Sequence, residues 1–98
     1  MNTNSYPYLS NVEIILSQSM KILISGYWPT PSWKIKDIQT KIDENSQEIT
    51  ISIIGETSKN LALQVLKPFS EVVELSVPLN KNWRIMVKGR TGDIVKQL

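Results

Sequence analysis

Few side chains in this chain could carry acid–base or nucleophilic chemistry, because it contains neither histidine nor cysteine. A Ser-His-Asp triad, a Cys-His dyad and a histidine general base are therefore excluded. The usual ligands of structural zinc are missing as well. What remains is nine carboxylates against eleven lysines and arginines. Asp43 and Glu44 are adjacent, but they open the polar run Asp43-Glu44-Asn45-Ser46, which reads as a solvated turn. Glu13, Glu71 and Glu74 fall on the polar faces of alternating segments. Paired carboxylates run acid–base chemistry only inside a cleft that shifts their pKa values, and no such cleft is suggested. Gly89-Arg90-Thr91-Gly92 lacks the following helix of a phosphate loop, so it reads as a hairpin connection. No Asp-rich loop points to calcium. The expectation is a protein that is not an enzyme, with no catalytic residue, no metal and no cofactor.

Two groups of residues suit binding instead. The first is Tyr27-Trp28-Pro29-Thr30-Pro31-Ser32-Trp33. Its two prolines fix φ and remove two N–H donors, which disfavours a central strand and favours an ordered, extended loop. Tyr27, Trp28, Pro29, Pro31 and Trp33 would give that loop a rigid, amphipathic surface of the kind enriched in interface hot spots. The competing expectation is that the same rings cap the open end of the fold. The second group is Arg84, Lys88 and Arg90, in a C-terminal stretch where Asp93 is the sole acid after Lys81. Arg84, Met86 and Lys88 share a strand face, and such a stripe suits phosphates or an acidic partner. A solvated outer face is the plainer reading, and basic residues also discourage edge-to-edge aggregation.

The elements that must hold these residues are strands. Val12, Ile14 and Leu16 alternate with polar positions, as do Met20, Ile22 and Ile24, up to Gly26. Alternation of this kind marks half-buried strands. Ile38, Thr40 and Ile42 share a face that Ile35 does not, so a bulge is expected near Lys36-Asp37. Ile49, Ile51 and Ile53 form the cleanest strand, and Gly55 to Asn60 reads as a polar turn. Leu61, Leu63 and Val65 follow, stopped by Pro68. Val73, Leu75 and Val77 run to Pro78. Trp83, Ile85 and Val87 alternate inward, and residues 93–98 close as a short strand. Seven or eight short strands with no helical pattern indicate an all-β sandwich or barrel.

Three stretches add a resemblance. They are Gly26-Tyr27-Trp28-Pro29-Thr30-Pro31 after an apolar strand, Gln64-Val65-Leu66-Lys67-Pro68-Phe69 before an alternating strand to Pro78-Leu79, and Trp83-Arg84-Ile85-Met86-Val87-Lys88-Gly89. Over residues 19–90 the chain resembles small single-domain immunoglobulin-like proteins of bacteria and archaea, mostly uncharacterised and many of them secreted or lipid-anchored. The resemblance implies an immunoglobulin-like β-sandwich of seven or eight antiparallel strands. Those proteins often carry a cysteine pair at the positions held here by Ser32 and Ala62. It thus implies that these two residues are neighbours, with Cα atoms roughly 4.4–6.8 Å apart.

A chain of 98 residues suits one core. Residues 1–10 read as a loose N-terminal arm or a strand-like lead-in, and residues 11–98 as a single β-sandwich domain. MNTNSYPYLS contains no Lys or Arg, so no signal-peptide n-region is seen, and no apolar run is long enough for a membrane span. A soluble, cytoplasmic protein is expected, monomeric or homodimeric. The leading functional expectation is a non-catalytic interaction domain that binds another protein through the aromatic–proline loop or an exposed sheet edge. The alternatives are a nucleic-acid-binding domain using Arg84, Lys88 and Arg90, and a loop-based protease inhibitor, for which only Gly26-Tyr27-Trp28 offers a match.

Overall fold

The structure, a computed structural model, describes residues 3–58 and 64–98. Among these the strands are β1 (Thr3–Ser5), β2 (Tyr8–Leu16), β3 (Met20–Trp28), β4 (Lys34–Asp43), β5 (Glu48–Thr57), β6 (Lys67–Leu75), β7 (Arg84–Val87) and β8 (Ile94–Gln97). They form two sheets, consistent with a β-sandwich, and no helix occurs among the described residues.

The first sheet is organised around β5. The antiparallel strand β4 runs along one side of it, from Lys34 opposite Glu56 to Asp43 opposite Glu48. Its other side is shared, with β1 at Gly55–Thr57 and β7 at Glu48–Ile51, and β8 flanks β7. The second sheet is β2-β3-β6, antiparallel throughout. Period-two burial explains why the layers meet. Ile49, Ile51 and Ile53 face Met20, Ile22 and Ile24, and all six are buried with Val12, Val73, Leu75, Trp83, Ile85 and Val87. Each such side chain contributes about 1.5–3 kcal/mol by leaving water.

Several expectations change. The strands are not all antiparallel, because β5 and β7 run parallel. After β5 the chain joins the other sheet as β6 and then returns to the Glu48 end, so β7 must run in the direction of β5. Trp83 anchors this return, fully buried, with Nε1 donating to the Pro78 carbonyl at 2.8 Å. Residues 3–10 are not a loose arm: β1 pairs with β5, β2 begins at Tyr8, and the Pro7 carbonyl accepts from the Arg90 N–H at 2.8 Å. Gly26 does not end its strand, which continues to Trp28. A Cβ at Gly26 would stand 1.9 Å from the Tyr8 carbonyl oxygen, so glycine is what lets β2 and β3 stay paired there. Pro68 lies inside β6, and among the described residues β6 pairs with β3 alone, leaving a side that needs no N–H donor.

The bulge in β4 falls between Ile35 and Asp37, and both Ile35 and Ile38 reach the core. Of the expected strand at Leu61, Leu63 and Val65, the first two residues lie outside the described residues, while Val65 is exposed and outside any strand. Ala62 also lies outside them, and with it the expected Ser32–Ala62 proximity. The Ser32 hydroxyl is bonded to those of Thr30 and Thr57, at 2.8 and 2.9 Å.

The β4–β5 turn is closed by Asp43, whose Oδ1 accepts from the N–H groups of Asn45 and Ser46 at 3.1 and 3.3 Å. Gln47 completes it with φ of 56°, in the left-handed region that costs an L side chain about 1–2 kcal/mol. Gln47→Gly should therefore raise stability in urea by about 0.5–1 kcal/mol, the strain relief less the entropy of glycine. Gln47→Val should lower it.

Candidate functional site

The Tyr27–Trp33 segment divides between core and surface. Because side chains alternate along β3, Tyr27 points outward, 41% exposed, and Trp28 inward, 1% exposed. Trp28 lies against Gly55 of the facing sheet, where a Cβ would stand 2.3 Å from the indole. Trp33 stacks on Trp28 with ring centroids 5.8 Å apart and planes 4° from parallel, and it is 7% exposed. Phe69 of β6 leans on Trp28 at 5.5 Å. Pro29 is half-buried and Pro31 exposed. A docking surface built from Trp28 and Trp33 is thus closed, because their faces are used inside the molecule. Tyr27 is what remains outside, opposite Tyr8 on β2 and Pro68 on β6.

The basic stripe is also spoken for. Arg84 pairs with Glu48 at 3.5 Å and Lys88 with Asp93 at 3.5 Å. Such exposed pairs add only about 0–1 kcal/mol to stability, but they cancel the charges a phosphate would seek. Arg90 does not join the stripe. Its guanidinium carbon sits 4.8 Å from the Trp33 ring centroid and 5.5 Å from that of Tyr8. Its Nε and Nη2 are buried without a hydrogen-bond partner. The two aromatic faces take the place of oxygen acceptors, through cation–π attraction and N–H contacts to the rings. Arg90 is therefore a bolt between the start of β2 and the loop that carries Trp33.

The carboxylates do not assemble. Among the described residues no cluster of three or more potential metal ligands is found. Asp43 lines a depression of about 610 Å³ with Lys41, Ile42, Glu44 and Asn45. The Ser46 N–H, then the Ser46 side chain and the Asn45 N–H, hold the Asp43 carboxyl below its ordinary value. A fully hydrated carboxyl shifted that way is the opposite of a general acid tuned for work near neutral pH.

Sequence reasoning missed the outward apolar residues of the second sheet. Val72 on β6 is 58% exposed and lies opposite Leu23 on β3. Val65 and Leu66, just before β6, are exposed as well. For Val72 the signal was available in the doublet Val72-Val73. Two adjacent apolar residues on an extended chain point to opposite sides, and one of them must leave the core. No protein-family model, curated protein or solved structure matches the chain. No helix among the described residues is long and apolar enough to cross a membrane.

The division of the aromatic segment has a direct consequence for stability. Trp33→Ala should cost about 3–5 kcal/mol in chemical denaturation, as removal of a buried aromatic does. Tyr27→Ala should cost less than about 1 kcal/mol, as at other half-exposed positions.

Proposed function

We propose that this chain is a non-catalytic interaction domain on an immunoglobulin-like sandwich, which binds another protein through the outer face of β3 and β6. The observation that carries this reading is the run of uncovered apolar side chains there. Tyr27 and Pro68 lie side by side, Leu23 and Val72 lie side by side, and Val65 and Leu66 lead into the same strand. Ser25 and Ser70 separate the two apolar rows, and the charged neighbours Lys21 and Glu74 bound the face beyond Leu23 and Val72. Apolar residues grouped on one sheet face mark a contact surface more often than scattered ones do. A tyrosine with its ring half out of water loses little entropy on docking.

The other face contrasts with it. On the outer side of the first sheet, Lys41, Asp43, Glu48, Arg84 and Gln97 are charged or polar, two of them in an ion pair, and the apolar Met86 and Val95 sit among them. That pattern suits hydration. The nucleic-acid reading loses its support where Arg84 and Lys88 are paired and Arg90 is stacked.

The test is affinity capture from source lysate with the wild type beside a Tyr27→Lys/Val72→Lys variant, with and without nuclease. The expected result is a protein recovered by the wild type, insensitive to nuclease and lost with the folded variant. Equal recovery by both would contradict the assignment of the face. Recovery abolished by nuclease would move the function to nucleic acid.

A further inference from the structure

The outermost strands of the two sheets, β1, β4 and β8 of the first and β2 and β6 of the second, are guarded unequally, and β1 is protected by its length of three residues. An unpaired edge exposes N–H and C=O groups that template pairing with another chain, and proteins block it with charges, proline, bulges or brevity. β4 carries Lys34, Lys36, Asp37, Lys41 and Asp43 and has a bulge in its path. β6 carries Lys67, Pro68, Glu71 and Glu74. β8 has four residues, one of them Lys96. β2 is different. Its bulge lies early, between Leu9 and Asn11, and the regular stretch after it, Asn11 to Leu16, holds one charge, Glu13. At the end of that stretch Ile15 and Leu16 are both exposed, at 41% and 45%. Among the described residues β2 pairs with β3 alone, and β8, which approaches it, belongs to the other sheet.

We propose that two copies of the chain pair antiparallel through the free edge of β2, joining their three-stranded sheets into one of six strands. The occupant follows from self-complementarity. Val12, Ile14 and Leu16 face the core side, opposite the buried Ile24, Ile22 and Met20, while Asn11, Glu13 and Ile15 face outward. A two-fold axis must keep these faces matched, which allows alternate registers only. The register centred on Glu13 sets two like charges opposite each other. One centred on Val12 runs into the bulge, and one centred on Ile15 runs into the bend at Ser17. The register centred on Ile14 meets none of these. It sets Ile14 on its mate, Val12 against Leu16 and Glu13 against Ile15, so both exposed residues are covered at once. Lys21 is the neighbour of Ile15 on β3. The row across the joint therefore reads Leu23, Glu13, then the second copy's Ile15 and Lys21, and each glutamate reaches a lysine over an isoleucine. Neither Glu13 nor Lys21 has an ion pair within its own chain among the described residues. The pairing goes beyond the docking role of Tyr27 and Val72 and does not depend on it, since β6 lies at the opposite edge of the sheet.

Charge reversal at one position separates this geometry from unspecific apolar contact. Sedimentation is measured for wild type, Ile15→Glu and Ile15→Lys from micromolar to millimolar protein. Wild type is expected to dimerise, Ile15→Glu to stay monomeric because its carboxylate opposes Glu13, and Ile15→Lys to keep the dimer. Loss of the dimer in both variants, or a wild type that is monomeric throughout, would overturn the proposal. A second measurement fixes the register. The chain has no cysteine, so Glu13→Cys and Ile15→Cys proteins can be mixed and oxidised. The mixed disulfide should form in several-fold excess over either like-with-like product, with Val72→Cys remaining uncrosslinked. A statistical mixture, or equal crosslinking of Val72→Cys, would refute the register and the edge.

Discussion

A tryptophan that lies flat on a facing sheet needs a strand without a side chain beneath it, and this molecule meets that need with Gly55. Trp28 fills the place a Cβ would take. Everything at that end of the sandwich is arranged on the indole. Trp33 stacks on it, Phe69 packs against it at a tilt, and Arg90 covers Trp33 in turn. Tyr8 closes over Arg90, and the Pro7 carbonyl holds the Arg90 backbone. The first strands, the proline loop and the β7–β8 connection are thereby fastened in one column of rings and guanidinium. Stacked aromatics and a desolvated cation–π contact each add about 0.5–2 kcal/mol beyond area burial, and no disulfide is available to do this work.

The same constraint shapes the surface. Because Trp28 must point inward, Tyr27 must point out, and the pleat then sets Pro68, Leu23 and Val72 on its side of the sheet. The proposed contact face is thus a by-product of how the core is filled. The charged face of the other sheet has a different origin. Its central strand β5 alternates isoleucine with threonine, serine and glutamate, which satisfies water without a partner.

Much of this was legible beforehand. Period-two alternation located Ile22, Ile24, Ile49, Ile51, Ile53, Ile85 and Val87 in the core, and the phase change in residues 35–42 located the bulge. What could not be read was any feature set by a distant neighbour. Gly26 and Pro68 look like strand breakers, yet they stand in paired strands because one meets a close carbonyl and the other sits on an edge. The direction of β7 depends on a crossover through the other sheet, which leaves no local mark. The aromatic–proline segment looked like a uniform surface, but only the pleat decides which of its rings faces water. Arg90 looked like part of a basic stripe until its rings were in place.

The most direct measurement of the central claim is a double-mutant cycle between Gly55→Val and Trp28→Leu, read by urea denaturation. If Trp28 depends on the bare backbone of Gly55, the valine should cost about 1–3 kcal/mol beneath tryptophan. It should cost far less beneath the smaller leucine, leaving a coupling of about 1 kcal/mol or more. Additivity to within about 0.5 kcal/mol would mean that the two residues do not share that space. The account of this end of the sandwich would then be wrong.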